Sequence, residues 1–151
     1  PLLCQAGGFI SSSFPCVQIH CDKLRVHWIM SSTMRNRVEI ADSLFLGNIN
    51  ESLASQLCQR YESSAVMNQL SVFVLPVQHQ TNCVDCGIHA IATATEFLVD
   101  DGDPLKHFDI PNMRQHLISC LENGEMLAFP RSVKRRRGRK PTATEIKITL
   151  K

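Results

Sequence analysis

The sequence predicts an α+β fold in which helices pack on a small sheet. Short alternating or apolar segments, bounded by turn residues, occupy much of the first half of the chain. Segments with apolar residues at helical spacing lie between and after them. The chain has 151 residues, of which 44% are hydrophobic and 20% are charged, and these values suit a single globular domain of ordinary composition.

Four segments are predicted to be strands. Residues 16–20 alternate between apolar and polar side chains, and residues 24–30 follow after a short turn, so the two are expected to pair as a hairpin. Residues 37–41 are expected to form a third short strand. Residues 70–77 are nearly all apolar, which is typical of a strand at the centre of a sheet, and Pro76 is expected to mark its end.

Three segments are predicted to be helices. Residues 51–61 carry apolar side chains at four-residue spacing. Residues 86–99 are apolar on almost every side, which predicts a buried helix. Residues 111–122 follow Asp109 and end near Gly124, and both residue types are typical of helix boundaries.

Charge is distributed unevenly along the chain. Residues 131–151 contain nine basic residues and one acidic residue, a net charge of +8, whereas residues 1–130 contain seven basic and thirteen acidic residues, a net charge of −6. We therefore expect a folded domain over residues 1–130 and a disordered basic tail over residues 131–151. The sequence opens on Pro1 and not on methionine, so a truncated or processed start of the domain is one interpretation. The basic run at residues 134–140 is typical of a solvated tail, and contact with an import receptor or a nucleic acid is the second interpretation.

The cysteines and the apolar segments indicate an intracellular protein of the nucleus or cytoplasm. Seven cysteines, an odd number, are scattered through a chain that does not open on a secretory signal, which argues against a disulfide framework. The apolar runs fall short of the roughly 18 residues that a membrane span requires, so we expect no membrane partner.

Cys86 stands where a polar loop meets the predicted buried helix. A helix N-terminus carries a partial positive charge and unpaired N–H groups, so a thiolate is favoured there. Gly87 leaves space beside the sulfur, and the amide of Gln80 is a candidate donor to an oxyanion. The alternative interpretation is that Cys86 is a small buried packing residue.

A thiolate nucleophile requires a base, and the base requires an orienting partner. His27 lies within a predicted strand, and Asp42 follows the next strand, 15 residues later. If the two strands pair, the carboxylate can approach the imidazole and hold its tautomer, as in a Cys-His-Asp triad. A buried histidine with no catalytic role is the alternative.

These residues resemble the motifs of a known enzyme family. The segments Val26-His27-Trp28, Asp42-Ser43 and Gln80-Thr81-Asn82-x-x-Asp85-Cys86-Gly87 are similar to those of the ubiquitin-like-protein-specific cysteine proteases, which include the SUMO-deconjugating enzymes and their adenovirus-protease relatives. The resemblance covers roughly residues 16–125, and the segment 113–130 is most similar to transposon-borne members.

The resemblance implies a papain-like α+β architecture with a small mixed central sheet flanked by helices. It implies hydrolysis of peptide or isopeptide bonds after the C-terminus of a ubiquitin-like protein, SUMO-like or NEDD8-like, by a monomer that needs no metal or other cofactor. Cys86 would be the nucleophile, His27 the general base and Asp42 the residue that orients it. Gln80 would donate to the oxyanion, and Trp28 would line the groove for the substrate's Gly-Gly tail.

Cys83 departs from the family pattern, which usually has glycine at this position. If the position requires a positive φ, a cysteine strains the loop by about 1–3 kcal/mol and distorts the oxyanion site. The alternative function is then a catalytically decayed module that binds a ubiquitin-like protein without cutting it. The same residues allow two different chemistries. Cys83 and Cys86 form a C-x-x-C pair typical of thiol-disulfide proteins. Cys83, Cys86 and His89, with His79 or Cys21 as a fourth ligand, have the residue types of a zinc site.

Overall fold

The structure, a computed structural model, describes residues 15–100, 102–103, 105–133 and 140–150. Most of the basic run predicted at 134–140 and the chain before residue 15 lie outside the described residues. In chain order the elements are β1 (Val17–Asp22), β2 (His27–Ser32), β3 (Val38–Ala41), α1 (Glu51–Tyr61), a short 3-10 helix (Glu62–Ser64), β4 (Gln69–Val74), α2 (Cys86–Val99), α3 (Ile110–Asn123) and β5 (Thr144–Thr149).

The five strands form one mixed sheet in the order β1-β2-β3-β4-β5. The pairs β1–β2, β2–β3 and β4–β5 are antiparallel, whereas β3 and β4 are parallel. A parallel pair needs a crossover, and α1 provides it between β3 and β4. The sheet and its helices confirm the α+β class expected from the sequence.

Both faces of the sheet are covered, because the strands alternate apolar side chains between them. On one face α1 packs over the sheet; the core there contains Ile29, Val38, Ile40, Leu53, Leu57, Tyr61, Leu70, Val72 and Val74. On the other face α2 packs over Met30, Ala41 and Leu75. A third cluster, which includes Phe108 and Phe129, lies between α2 and α3. β2 and β3 thus lie between α1 and α2. The candidate site is at the ends of these two strands.

The predicted helices are confirmed. α1 and α2 have the predicted bounds, and α3 is one residue longer at each end. The side chain of Asn50 caps α1 by accepting the backbone N–H of Leu53 at 3.0 Å. α3 ends at Gly124, which adopts φ +68° and donates its N–H to carbonyls of the last turn. No helix among the described residues is both long enough and apolar enough to cross a membrane.

The first hairpin is displaced from its predicted position. Residues 24–30 were expected to form its second strand, but the strand runs over His27–Ser32. Residues 23–26 form the turn, in which Val26 has φ +50°. The apolar residues of the predicted strand begin within the turn, before the first residue that pairs with β1. Apolar periodicity alone therefore does not show where the strand begins.

The expectation of a disordered tail over residues 131–151 is wrong for β5. Thr144–Thr149 pairs with β4 along its whole length, for example Val72 with Ile146. Ile146 and Ile148 pack against the core on the α1 face, whereas Lys147 between them is exposed. Residues 131–151 together carry a net charge of +8, and this charge concealed the alternation within residues 144–149. β5 also makes β4 an internal strand, which is what the apolar sequence of β4 predicted.

We predict that the inner face of β5 contributes to stability. The double variant Ile146→Ser/Ile148→Ser should lower the free energy of unfolding by about 2–4 kcal/mol, because two half-buried aliphatic side chains lose their contacts with the core. Urea unfolding monitored by circular dichroism measures this. The matched control is Glu145→Ser/Lys147→Ser on the exposed face of the same strand, which should change stability little. Equal small effects of both double variants would show that β5 is dispensable.

Candidate active site

His27 and Asp42 form a buried hydrogen-bonded pair. His27 opens β2 and Asp42 follows β3 directly, and both residues are almost completely buried. The antiparallel pairing of β2 with β3 brings them together, with His27 Nε2 at 2.6 Å from Asp42 Oδ1. The structure therefore brings together two residues that the sequence places 15 positions apart.

Three donors surround the Asp42 carboxylate. Oδ1 accepts the ring N–H of His27 and the backbone N–H of Leu44, at 2.8 Å for the latter, and Oδ2 accepts Arg25 Nη1 at 3.2 Å. Burial alone would raise the pKa of Asp42. The hydrogen bonds from His27 and Leu44, with the nearby charges of His27 and Arg25, outweigh it and hold the pKa below its ordinary value. Asp42 is therefore ionised at neutral pH.

An ionised Asp42 fixes the tautomer of His27. A carboxylate only accepts hydrogen bonds, so the nitrogen facing it, Nε2, must carry a proton. In the neutral ring the lone pair is then on Nδ1. The imidazole can accept a proton at Nδ1 while Asp42 stabilises the imidazolium that results.

Cys86 is the first residue of α2 and is almost completely buried. The following residue, Gly87, lies against the indole of Trp28: a β-carbon added at Gly87 would be 3.7 Å from Trp28 Cδ1. The N-terminus of α2 therefore packs against the start of β2. Cys86 and His27 are the sequence neighbours of the two residues in this contact, so the fold brings their elements together.

Gln80 is held beside Asp42 through Ser43. The backbone N–H of Gln80 donates to the Ser43 carbonyl at 3.0 Å, and the Ser43 hydroxyl donates to Gln80 Oε1 at 2.5 Å. Gln80 Nε2 donates to the Asn82 carbonyl at 2.5 Å. Since an amide nitrogen carries two protons, one N–H of the side chain is left for another acceptor.

The loop before Cys86 is held by its own polar side chains. Asn82 Oδ1 accepts the backbone N–H groups of Val84 and Asp85, at 2.9 and 3.0 Å, and Asn82 Nδ2 donates to Asp85 Oδ2 at 2.6 Å. Arg114 of α3 forms an ion pair with the other oxygen of Asp85. The Asn82 hydrogen bond, followed by the bond and charge of Arg114, lowers the pKa of Asp85 against the effect of burial. These contacts give a structural reason for the Asn-x-x-Asp-Cys spacing.

Two arginines of this region were missed from the sequence. Arg25 contacts Asp42, and Arg114 contacts Asp85. Neither arginine belongs to a motif that predicts a contact with a carboxylate, and isolated arginines are most often solvated. Only the folded arrangement shows that each faces a carboxylate.

Cys83 does not strain the loop. It is exposed, and the non-glycine residues with positive φ in the described parts of the chain are Val26, Asn36, Met67 and Asn68. The condition under which Cys83 was expected to impose strain is therefore not met.

The structure does not bring the proposed zinc ligands together. Among the residues that the structure describes, which include every proposed ligand, no three His, Cys, Asp or Glu side chains are grouped closely enough to hold a metal ion. His89 is buried in α2 with its ring edge-on to Phe108, whereas Cys83 is exposed.

Comparison with known proteins identifies a family. Residues 17–123 match the model of the Ulp1 protease family, C-terminal catalytic domain. The matched stretch extends from the start of β1 to the end of α3 and includes all the candidate site residues. No curated protein and no solved structure matches the chain. The match and the mixed sheet with helices on both faces together confirm the papain-like architecture.

We predict that Cys86 Sγ lies within about 4–5 Å of His27 Nδ1, a loose approach that is common before substrate binds. Dibromoacetone, a short reagent that alkylates a thiol and then an imidazole, should join the two residues, and peptide mass spectrometry identifies the bridge. His27→Ala should retain single alkylation of Cys86 and lose the bridge. A bridge from Cys86 to His89 instead, or a separation above about 8 Å in a crystal structure, contradicts the prediction.

Proposed function

Because the chain belongs to the Ulp1 protease family and is therefore a cysteine protease, we propose that Cys86, His27 and Asp42 are its catalytic triad. The observation that carries the proposal is the buried hydrogen bond of 2.6 Å between His27 and Asp42. This bond leaves Nδ1 to receive a proton, and α2 presents Cys86 beside the strand that carries His27.

The proposed reaction is acyl transfer through a thioester. His27 takes the proton of the Cys86 thiol, and the thiolate attacks the scissile carbonyl carbon. The carbon–nitrogen bond then breaks, and His27 returns the proton to the leaving amine. Water, deprotonated by His27, attacks the thioester and releases the carboxylate product and the thiol. Asp42 remains ionised throughout and stabilises the imidazolium.

Gln80 and the N-terminus of α2 are the proposed oxyanion donors. The free N–H groups at the start of a helix point along its axis, and the developing negative charge is favoured there. The second N–H of Gln80 adds a donor from a side chain whose position is fixed by Ser43. This arrangement supports preorganised stabilisation of the transition state.

The proposed substrate is a ubiquitin-like protein, SUMO-like or NEDD8-like, or its conjugates. Trp28 is 43% exposed although it adjoins the buried His27, so its indole is available as an apolar wall for a narrow peptide. A Gly-Gly tail suits such a groove because it has no side chains. We propose that the enzyme acts as a monomer without a cofactor in the nucleus or cytoplasm, and that the basic run at 134–140 contacts an import receptor or a nucleic acid.

Activity-based probes test this proposal. SUMO, NEDD8 and ubiquitin that end in a propargylamide should be compared, and at least one of the first two should form a covalent adduct on Cys86. Cys86→Ala should abolish the adduct, and Asp42→Ala should slow its formation at least tenfold, because the carboxylate no longer stabilises the imidazolium. An adduct at another cysteine would refute Cys86 as the nucleophile. An adduct with the ubiquitin probe alone would refute the proposed substrate class.

A module that binds a ubiquitin-like protein without cutting it is the second candidate function. It depended on Cys83 distorting the loop, and the unstrained backbone at Cys83 removes that reason. We therefore predict that Cys83→Gly labels with the probe at a rate within about twofold of the unmodified protein, since a substitution at an exposed, unstrained position changes little. Rapid labelling of Cys83→Gly with none in the unmodified protein would favour the decayed module.

A further inference from the structure

Arg25 connects the β1–β2 turn to the segment that carries Asp42. Its Nη1 donates to Asp42 Oδ2 at 3.2 Å, and its Nη2 donates to the Leu44 carbonyl at 2.7 Å. The side chain is only 25% exposed, and the Asp42 side chain is 1% exposed. A guanidinium held by two acceptors beside a buried carboxylate is a fixed charge, unlike a solvated surface arginine.

The backbone around Arg25 is strained. Val26, between Arg25 and His27, has φ +50°, and a β-branched residue rarely adopts this conformation. Its side chain is exposed, so no packing of that side chain stabilises the conformation. The turn is held by the contacts of Arg25, by the hydrogen bond of 3.1 Å from the Leu24 N–H to Asp22 Oδ1, and by that of 3.3 Å from the Lys23 N–H to Ser52 Oγ. Strain of this kind persists only where the surrounding contacts determine the conformation.

We propose that Arg25 is a positioning residue of the triad. It fixes the outer oxygen of the Asp42 carboxylate and the turn that leads into His27. It also places a positive charge opposite the imidazole, which offsets part of the negative charge that Asp42 presents to His27. The inference rests on the proposed triad, and it adds a residue that neither the sequence motifs nor the family match assigns.

The charge of Arg25 has a consequence for pH dependence. Removing it frees Oδ2 but keeps the carboxylate beside the ring, because Oδ1 still accepts from His27 and Leu44. The ring then faces an uncompensated carboxylate, which favours the imidazolium over the neutral imidazole. The other carboxylates near the site are Asp22, opposite His27 in β1 and bonded to Asn50, and Asp85, bonded to Asn82 and Arg114. These contacts do not involve Arg25.

The test is the pH dependence of Cys86 alkylation by iodoacetate, followed by peptide mass spectrometry. This reagent is an anion that reacts with the thiolate and is attracted by the imidazolium beside it, so its rate falls at alkaline pH once the ring is neutral. The reaction needs no ubiquitin-like substrate. In Arg25→Met the alkaline limb of the profile should move up by about half a pH unit, and the maximum rate should fall several-fold. Arg25→Lys keeps the charge, so its limb should stay within about 0.2 unit of the unmodified protein while its rate also falls. If Arg25→Met does not fold, Arg25→Gln removes the charge and keeps a donor for the Leu44 carbonyl.

Lys23→Met is the matched control, because it removes one positive charge from the same turn at an exposed position. Its profile should match that of the unmodified protein. An unchanged limb in Arg25→Met, a limb that moves to lower pH, or an equal shift in Lys23→Met would overturn the assignment. His27→Ala separates this inference from the proposed function. If His27→Ala slows alkylation, the triad remains supported whatever the result for Arg25. If it does not, the proposed function is refuted.

Discussion

The buried hydrogen bond between His27 and Asp42 is the interaction on which the site depends. A carboxylate removed from water is costly unless hydrogen bonds and an opposite charge compensate for it. Asp42 has both, from the backbone N–H of Leu44, the ring of His27 and the guanidinium of Arg25. The bond from Leu44 is local to the segment, but His27 and Arg25 reach Asp42 only if β2 and β3 keep their register, because a slip of one residue would turn Asp42 to the other face. The apolar residues of β2 and β3, buried beneath α1 on one face and α2 on the other, hold that register.

The loop between β4 and α2 must also place Cys86 at the N-terminus of a helix. α2 is anchored in the core by apolar side chains on several sides, and this packing fixes where the helix begins relative to the sheet. The loop is held at one end by Gln80 against Ser43 and at the other by Asn82 and Arg114 against Asp85. Ser43 adjoins Asp42 in sequence, so the loop that precedes Cys86 and the segment that carries the carboxylate are bonded to each other. A single network of polar contacts thereby links the three elements of the proposed triad.

Local sequence patterns predicted the parts of this structure that local physics determines. The bounds of α1 and α2 followed from apolar periodicity, and the approach of His27 and Asp42 followed from their places on neighbouring strands. β5 was missed because the charge of its surroundings outweighs the alternation of Ile146 and Ile148 in any compositional measure. Arg25 was missed for a different reason. Its role depends on where a strained turn directs its side chain. The residues that flank Arg25 in the sequence predict neither the φ angle of Val26 nor the position of the Asp42 carboxylate.

The protonation state of the His27 ring tests the central claim most directly. A long-range nitrogen–proton NMR correlation spectrum of the Cys86→Ala protein at alkaline pH reports which ring nitrogen carries the proton in the neutral imidazole. The account predicts a proton on Nε2, donated to Asp42, and an unprotonated Nδ1 directed toward the position of the nucleophile. A neutral ring protonated on Nδ1 would contradict it, because His27 would then be unable to accept the proton of Cys86 while bonded to Asp42.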